Sequence, residues 1–165
     1  MLKAQTIVIN TSPLLALVAA WGHLDPLQPL YQEILVPFEV VQEILQGGLS
    51  NFGVAEFQAA NWLLQQKHPV SISPFLRNSL DLGEAAVIQL ALDQSIETVC
   101  IDEAVGRRIA RLNGLALTGS IGVLLKAKQN DPTLSVKTAI DNMLNRNIRL
   151  SQTVINFALK QSGEV

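Results

Sequence analysis

The stretch Thr6-Ile7-Val8-Ile9-Asn10-Thr11-Ser12-Pro13 decides how the chain reads. The run from Thr6 to Ile9 lacks polar alternation and predicts a strand buried on both faces, while Ser12-Pro13 predicts an N-cap followed by proline in a first helical turn. Asn10 then stands at the carboxyl end of a strand, the end at which open parallel sheets bind their ligands. A polar residue at that address is a candidate for function.

The same signals repeat outward from this point. A helix from Pro13 to Trp21 stopped by Gly22, a short helix from Asp25-Pro26, and a strand at Ile34-Leu35-Val36 follow in turn. Pro37 opens a helix over Phe38 to Gln46, and Gly47-Gly48 closes it. A helix is expected over Val54 to Gln66, then a short strand at Val70-Ser71-Ile72. Asp81-Leu82-Gly83-Glu84 has the form of a capping box ahead of the helix carrying Val87, Leu90 and Ala91. Strands at Thr98 to Ile101 and Leu115 to Leu117 alternate with helices at Glu103 to Leu112 and Ser120 to Lys128. Strand and helix in alternation predict a parallel α/β sheet. Two further helices, 136–145 and 152–161, follow the N-cap candidates Ser135 and Ser151. Val136, Ile140, Met143 and Leu144 give the first of them an apolar face, expected to pack against the sheet.

Composition bounds the possibilities. A chain of 165 residues is long enough for one sizeable core, so one domain over 1–165 is expected, with the last two helices packed on it. Charged residues are 16%, against about 25% in average domains, which predicts surface covered by another chain. A homodimer is expected, with Trp21 and Leu24 in the covered patch. The net charge of −2 offers no bulk attraction to a polyanion, so any nucleic-acid contact needs a local basic cluster. Arg107, Arg108 and Arg111 are that cluster, or else a solvated helix face, with Val105, Ile109 and Leu112 as the helix's apolar stripe. The single Cys100 lies in an apolar run and reads as a small buried hydrophobe, and the lack of a disulfide framework suits a reducing cytoplasm. No stretch approaches the ~20 apolar residues of a membrane span. His23 and His68 lack metal-ligand spacing, and no phosphate loop, dinucleotide fingerprint, nucleophile elbow or receiver-type acid pair is present.

Four polar residues remain: Asn10 and Asp102 end strands, Glu84 starts a helix, and Glu43 lies on the helix after Pro37. Taken singly, each has a structural use. Glu84 completes a capping box, Asp102 is an N-cap, Glu43 sits four residues after Glu39 on a solvated face, and Asn10 is a turn residue. Taken together, a parallel α/β fold brings them to one edge of the sheet.

At these residues the chain resembles the PIN-domain family of nucleases, in a PIN-like branch related to toxin nucleases. The resemblance rests on Ile9-Asn10-Thr11-Ser12-Pro13-Leu14, on Val36-Pro37 leading to Glu43-Ile44, and on Leu82-Gly83-Glu84-Ala85. It continues through Ile101-Asp102-Glu103 with Gly106-Arg107-Arg108, and through Thr118-Gly119-Ser120-Ile121-Gly122-Val123-Leu124. It implies a three-layer α/β/α sandwich with a parallel sheet of four or five strands. It implies catalytic, metal-site carboxylates at Glu43, Glu84 and Asp102, joined by Asn10 as a metal ligand, for one or two Mg²⁺ or Mn²⁺ ions. Ser12, Thr118 and Ser120 would support the site, and Arg107, Arg108 and Arg111 would contact RNA. The implied activity is metal-dependent endoribonuclease action of the toxin–antitoxin type, restrained by a small antitoxin protein. The alternative is a non-catalytic PIN-like module that binds nucleic acid or protein. Asn10 separates the two, because the catalytic pattern has aspartate there. An amide oxygen can ligate a metal but brings no charge.

Overall fold

In the computed structural model, which describes residues 6–48 and 50–165, the first strand is where the sequence places it. Residues 1–5 and Leu49, which fall within the expected 1–165 domain, lie outside the described residues. Strand β1 (Ile7–Ile9) is fully buried and has a parallel neighbour on each side, β2 (Ile34–Val36) and β4 (Thr98–Cys100). Burial on both faces explains why its residues do not alternate. The sheet has five parallel strands in the order β3-β2-β1-β4-β5, with β3 at Leu64–Gln65 and β5 at Ala116–Thr118. Helices flank it, giving the three-layer α/β/α sandwich.

The chain grows outward from β1 to β2 and β3, then returns past its start to place β4 on the other side of β1. The order of strands therefore reverses between β1 and β4, and the crevice at their carboxyl ends is the binding position of such a sheet. Asn10 leaves β1, and its backbone N–H donates to the Cys100 carbonyl at 3.1 Å; Asp102 follows two residues after Cys100. Topology brings these two positions to the crevice.

Helix α1 (Thr11–Trp21) starts two residues earlier than Ser12-Pro13 suggests, with Asn10 at the N-cap and Gly22 in the left-handed conformation at the end. The Asp25–Leu30 segment is a 3₁₀ helix, and α2 (Phe38–Gln46) matches its expected limits. The expected helix over Val54 to Gln66 is instead a short α3 (Val54–Ala59), a turn, and β3; the expected strand at Val70 to Ile72 is a loop. Helical spacing of Phe57, Ala60 and Leu63 arises because all three face the core from a helix end and a turn. The loop is held instead by a side chain, with Glu39 Oε2 accepting from the Val70 N–H at 3.1 Å. A helix α4 (Pro74–Ser79), capped by Ser73, was not expected.

Helix α5 (Leu82–Asp93) packs on β1 and β4 and is buried along most of its length. Helix α6 (Ala104–Leu112) buries Gly106, Ile109 and Ala110; of the expected stripe only Ile109 is inside, while Val105 and Leu112 are exposed. Helix α7 (Ser120–Asn130) packs against α1 and the 3₁₀ helix. Helix α8 (Val136–Asn145) buries Val136, Ala139, Ile140 and Met143, but against α1 rather than the sheet, and Leu144 is exposed. Helix α9 (Gln152–Ser162) lies on α7 and α8. Glu164 fastens this pair: its carboxylate accepts from Ser135 Oγ at 2.8 Å and from the Val136 N–H at 2.7 Å, and Lys128 Nζ is 3.5 Å away. Leu24, expected in an exposed patch, is 2% exposed and belongs to the core.

Candidate functional site

The crevice is built from helix starts. Asp81, at the N-cap of α5, accepts the Glu84 N–H at 2.9 Å, which is half of the capping box. The other half is missing. Glu84 is 6% exposed, and its Oε2 is buried with no hydrogen-bond partner among the described residues. Burial first, and then the Asp81 side chain with the charges of Asp81, Glu103 and Glu43, push its pKa up to about 8. A carboxyl left unsatisfied among other acids is expensive for the fold unless a cation compensates it. The capping reading of Glu84 therefore explains its backbone and not its carboxylate.

Glu43 and Asn10 meet at α5 as well. A methyl group on Gly83 would stand 3.1 Å from Glu43 Oε2, 3.2 Å from Asn10 Oδ1 and 3.7 Å from Asp81 Oδ1. A side chain there would press on the first two of these oxygens, and glycine leaves them room. Partial burial raises the pKa of Glu43; the Thr11 hydroxyl pulls it back and the Asp81 charge adds to the rise. The Thr11 hydroxyl lies beside this carboxyl without a hydrogen bond of good geometry, and it too is buried and unpartnered. Asn10 is 4% exposed and makes no side-chain cap to α1, so the turn-residue reading does not account for its amide.

Asp102 serves a different helix from the one that follows it. Glu103 occupies the N-cap of α6, while Asp102 Oδ1 accepts the Ser120 N–H at 2.7 Å and so caps α7 across the crevice. A methyl on Gly119 would stand 2.7 Å from the same oxygen. Ser120 is buried, Thr118 is half-buried beside Gly122, and Ser12 is exposed on the first turn of α1; all three line one cleft with Asp102. Arg107 Nη1 donates to the carbonyls of Ile101 at 2.7 Å and Thr118 at 3.2 Å, so this guanidinium ties two strand ends together. Arg108 and Arg111 are exposed on α6 and do not line the cleft.

The structure thus groups Asn10 with Glu43, sets Glu84 within their electrostatic reach, and places Asp102 at the α6–α7 side of the crevice. No three His, Cys, Asp or Glu side chains are assembled for a metal ion among the described residues. Asp81, Glu103 and Thr11 also belong to the acidic edge and were missed in the sequence, where Asp81 reads as a cap only. Their signal was adjacency to the quoted motifs.

Residues 6–164 match a family model described as PIN domain. The chain belongs to the PIN-domain family. PIN domains are a nuclease family that generally uses divalent metals, and the match covers nearly the whole chain, from β1 past α9. No curated protein shows significant similarity to the chain. The donor set of this PIN domain suits such an ion in kind: its candidate ligands are all oxygens, as hard divalent cations require, and Glu84 Oε2 is buried without a hydrogen-bond partner of good geometry among the described residues. No described helix is long and apolar enough to cross a membrane.

Proposed function

We propose that this PIN domain is a metal-dependent endoribonuclease of the toxin–antitoxin type, weakened by Asn10. Glu43, Glu84, Asp102 and the Asn10 amide oxygen would hold Mg²⁺ or Mn²⁺, with Ser12, Thr118 and Ser120 shaping the loops around them. The observation that carries the reading is the orphaned, buried Glu84 Oε2 among acids at the topological switch point. Divalent metal, when bound, supplies an activated water and stabilises charge on the phosphodiester in its transition state. The chain's own contribution is orientation: Asp102 is fixed by the Ser120 N–H, Glu84 by burial, and the Thr118 and Ile101 carbonyls by Arg107. A small antitoxin protein and a second copy of the chain are the proposed partners, in the cytoplasm.

The second reading, a binding module without catalysis, draws support from the amide at Asn10 and from the lack of three assembled acids among the described residues. Asn10→Asp separates the two. One charge pair at ~4 Å and an effective dielectric near 20 is worth roughly 4 kcal/mol per unit of ion charge before desolvation, so the restored carboxylate should tighten Mn²⁺ binding in calorimetry and raise Mn²⁺-dependent cleavage of single-stranded RNA. Asp102→Asn in that background should remove the gain. Unchanged metal affinity and unchanged cleavage in a folded Asn10→Asp protein would leave the binding-module reading in place.

A further inference from the structure

The crevice does not end at the acids. It opens into a cleft of about 1170 Å³ that runs from Asp102 and Ser120 to the turn between α8 and α9, where Arg146 and Arg149 line it with Phe157. That volume is at the top of the ~300–1,000 Å³ range of ordinary small-molecule sites, and the cleft is open along its length, so it has room for a chain. Neither arginine forms an ion pair with a described residue. Arg146 is nevertheless held in place, its guanidinium 4.1 Å from the centre of the Phe52 ring. Phe157 is 53% exposed and Val154 37% exposed on the first turns of α9, an apolar surface beside free cationic charge in a chain whose net charge is −2.

We propose that the α8–α9 turn is the substrate track of this PIN domain: Arg146 and Arg149 bind phosphates of single-stranded RNA, and Phe157 stacks on a base. The proposal rests on the nuclease reading above and deepens it. Arginines outside any ion pair, beside an exposed aromatic ring, suit single strands, whose unpaired bases present their faces. An acidic peptide would use the arginines but gain little from the ring. The opposite end of the same cleft carries Asp102 and Glu103, which repel phosphate unless a cation intervenes, and the one arginine there, Arg107, is tied to the Ile101 and Thr118 carbonyls. That charge gradient would hold the strand by its flank and leave the acidic edge to the metal.

Binding of a fluorescein-labelled 12-nucleotide single-stranded RNA to the full chain, followed by anisotropy in EDTA so that no cleavage occurs, tests this directly. Arg146→Ala/Arg149→Ala should weaken binding at least tenfold and lower the slope of log affinity against log salt by about 1.4, the value for two single-strand phosphate contacts. Phe157→Ala should weaken it at least about fivefold with the slope unchanged. Arg77→Ala, on α4 away from the cleft, should bind like the parent chain. Because Arg146 packs on Phe52, Arg149→Glu alone serves if the double variant fails to fold. Parent-like affinity and slope in a folded Arg149→Glu protein overturn the track. Equal binding of a poly-aspartate peptide that is insensitive to Phe157→Ala assigns the arginines to an acidic protein and overturns it as well. RNA binding lost on the arginine substitutions, with no cleavage by any variant, keeps the track and removes the nuclease. Cleavage by the Asn10→Asp protein that ignores Arg149→Glu keeps the nuclease and removes the track.

Discussion

Glu84→Gln should make this protein more stable, and by an amount that grows with pH. In the fold the carboxyl is buried, lacks a partner for Oε2, and faces Asp81, Glu103 and Glu43, which together lift its pKa from 4.5 to about 8. The folded state therefore binds a proton more tightly than the unfolded chain. The stability that the protonated form contributes is fully present below pH 4.5 and is lost as pH rises to about 8. At 1.36 kcal/mol per pH unit that interval sets a ceiling of about 5 kcal/mol. Water entering the open crevice and the titration of neighbouring acids reduce it, and ~2 kcal/mol is the expected size. For a chain of this length that corresponds to roughly 4–8 °C in Tm. Thermal unfolding followed by circular dichroism, in EDTA, is the assay. At pH 5 the two proteins should melt close together; at pH 8.5 the glutamine variant should melt roughly 4–8 °C higher. A Tm difference that is the same at both pH values, or a parent chain that is the more stable at pH 8.5, would refute the argument that Glu84 is held unsatisfied.

Three further outcomes are expected, two from side-chain geometry and one from the low charged fraction. Glu164→Gln should destabilise the chain by about 1–2 kcal/mol at pH 7 after allowance for solvent at the helix end. Burial of the Glu164 carboxyl acts to raise its pKa, but hydrogen bonds from Ser135, Val136 and Lys137 and the charge of Lys128 win and hold it at about 2, so urea unfolding should show the effect fading as pH falls from 4.5 towards 2. Gly106→Ala would set a methyl 2.6 Å from Glu84 Oε2 and 2.9 Å from Ile101 Cγ2, and should cost about 1–3 kcal/mol in denaturant unfolding while weakening Mn²⁺ binding in calorimetry. The proposed homodimer should give twice the chain mass in light scattering at micromolar concentration, and a monomer there would count against it.

Elements whose signals are local were legible in the chain. The run ending at Ile9, the helix opened after Pro37 and closed by Gly47, and the helices capped by Ser135 and Ser151 were all readable, because a buried strand, a proline-led first turn and an N-cap hydroxyl each depend on a few adjacent residues. The positions of Asn10 and Asp102 at strand ends were legible for the same reason, as was the resemblance that led to the family.

Contacts between distant segments settled the rest. Strand β3 is two residues long and exists because Leu35 and Val36 offer it a parallel edge, so Leu64–Gln65 pairs while the more strand-like Val70 to Ile72 does not. Val105 and Leu112 have an apolar spacing that predicts burial, yet α6 turns Gly106, Ile109 and Ala110 inward, because the close approach of Glu84 and Ile101 fits only against glycine. Whether Glu84 is a cap or an unsatisfied acid, and whether Arg107 or Arg149 is free for a ligand, is a matter of what stands opposite each side chain. For Glu84 those neighbours include Glu43 on α2 and Glu103 at the start of α6, and for Arg107 the ends of β4 and β5, and only the closing of the sheet around β1 puts them there.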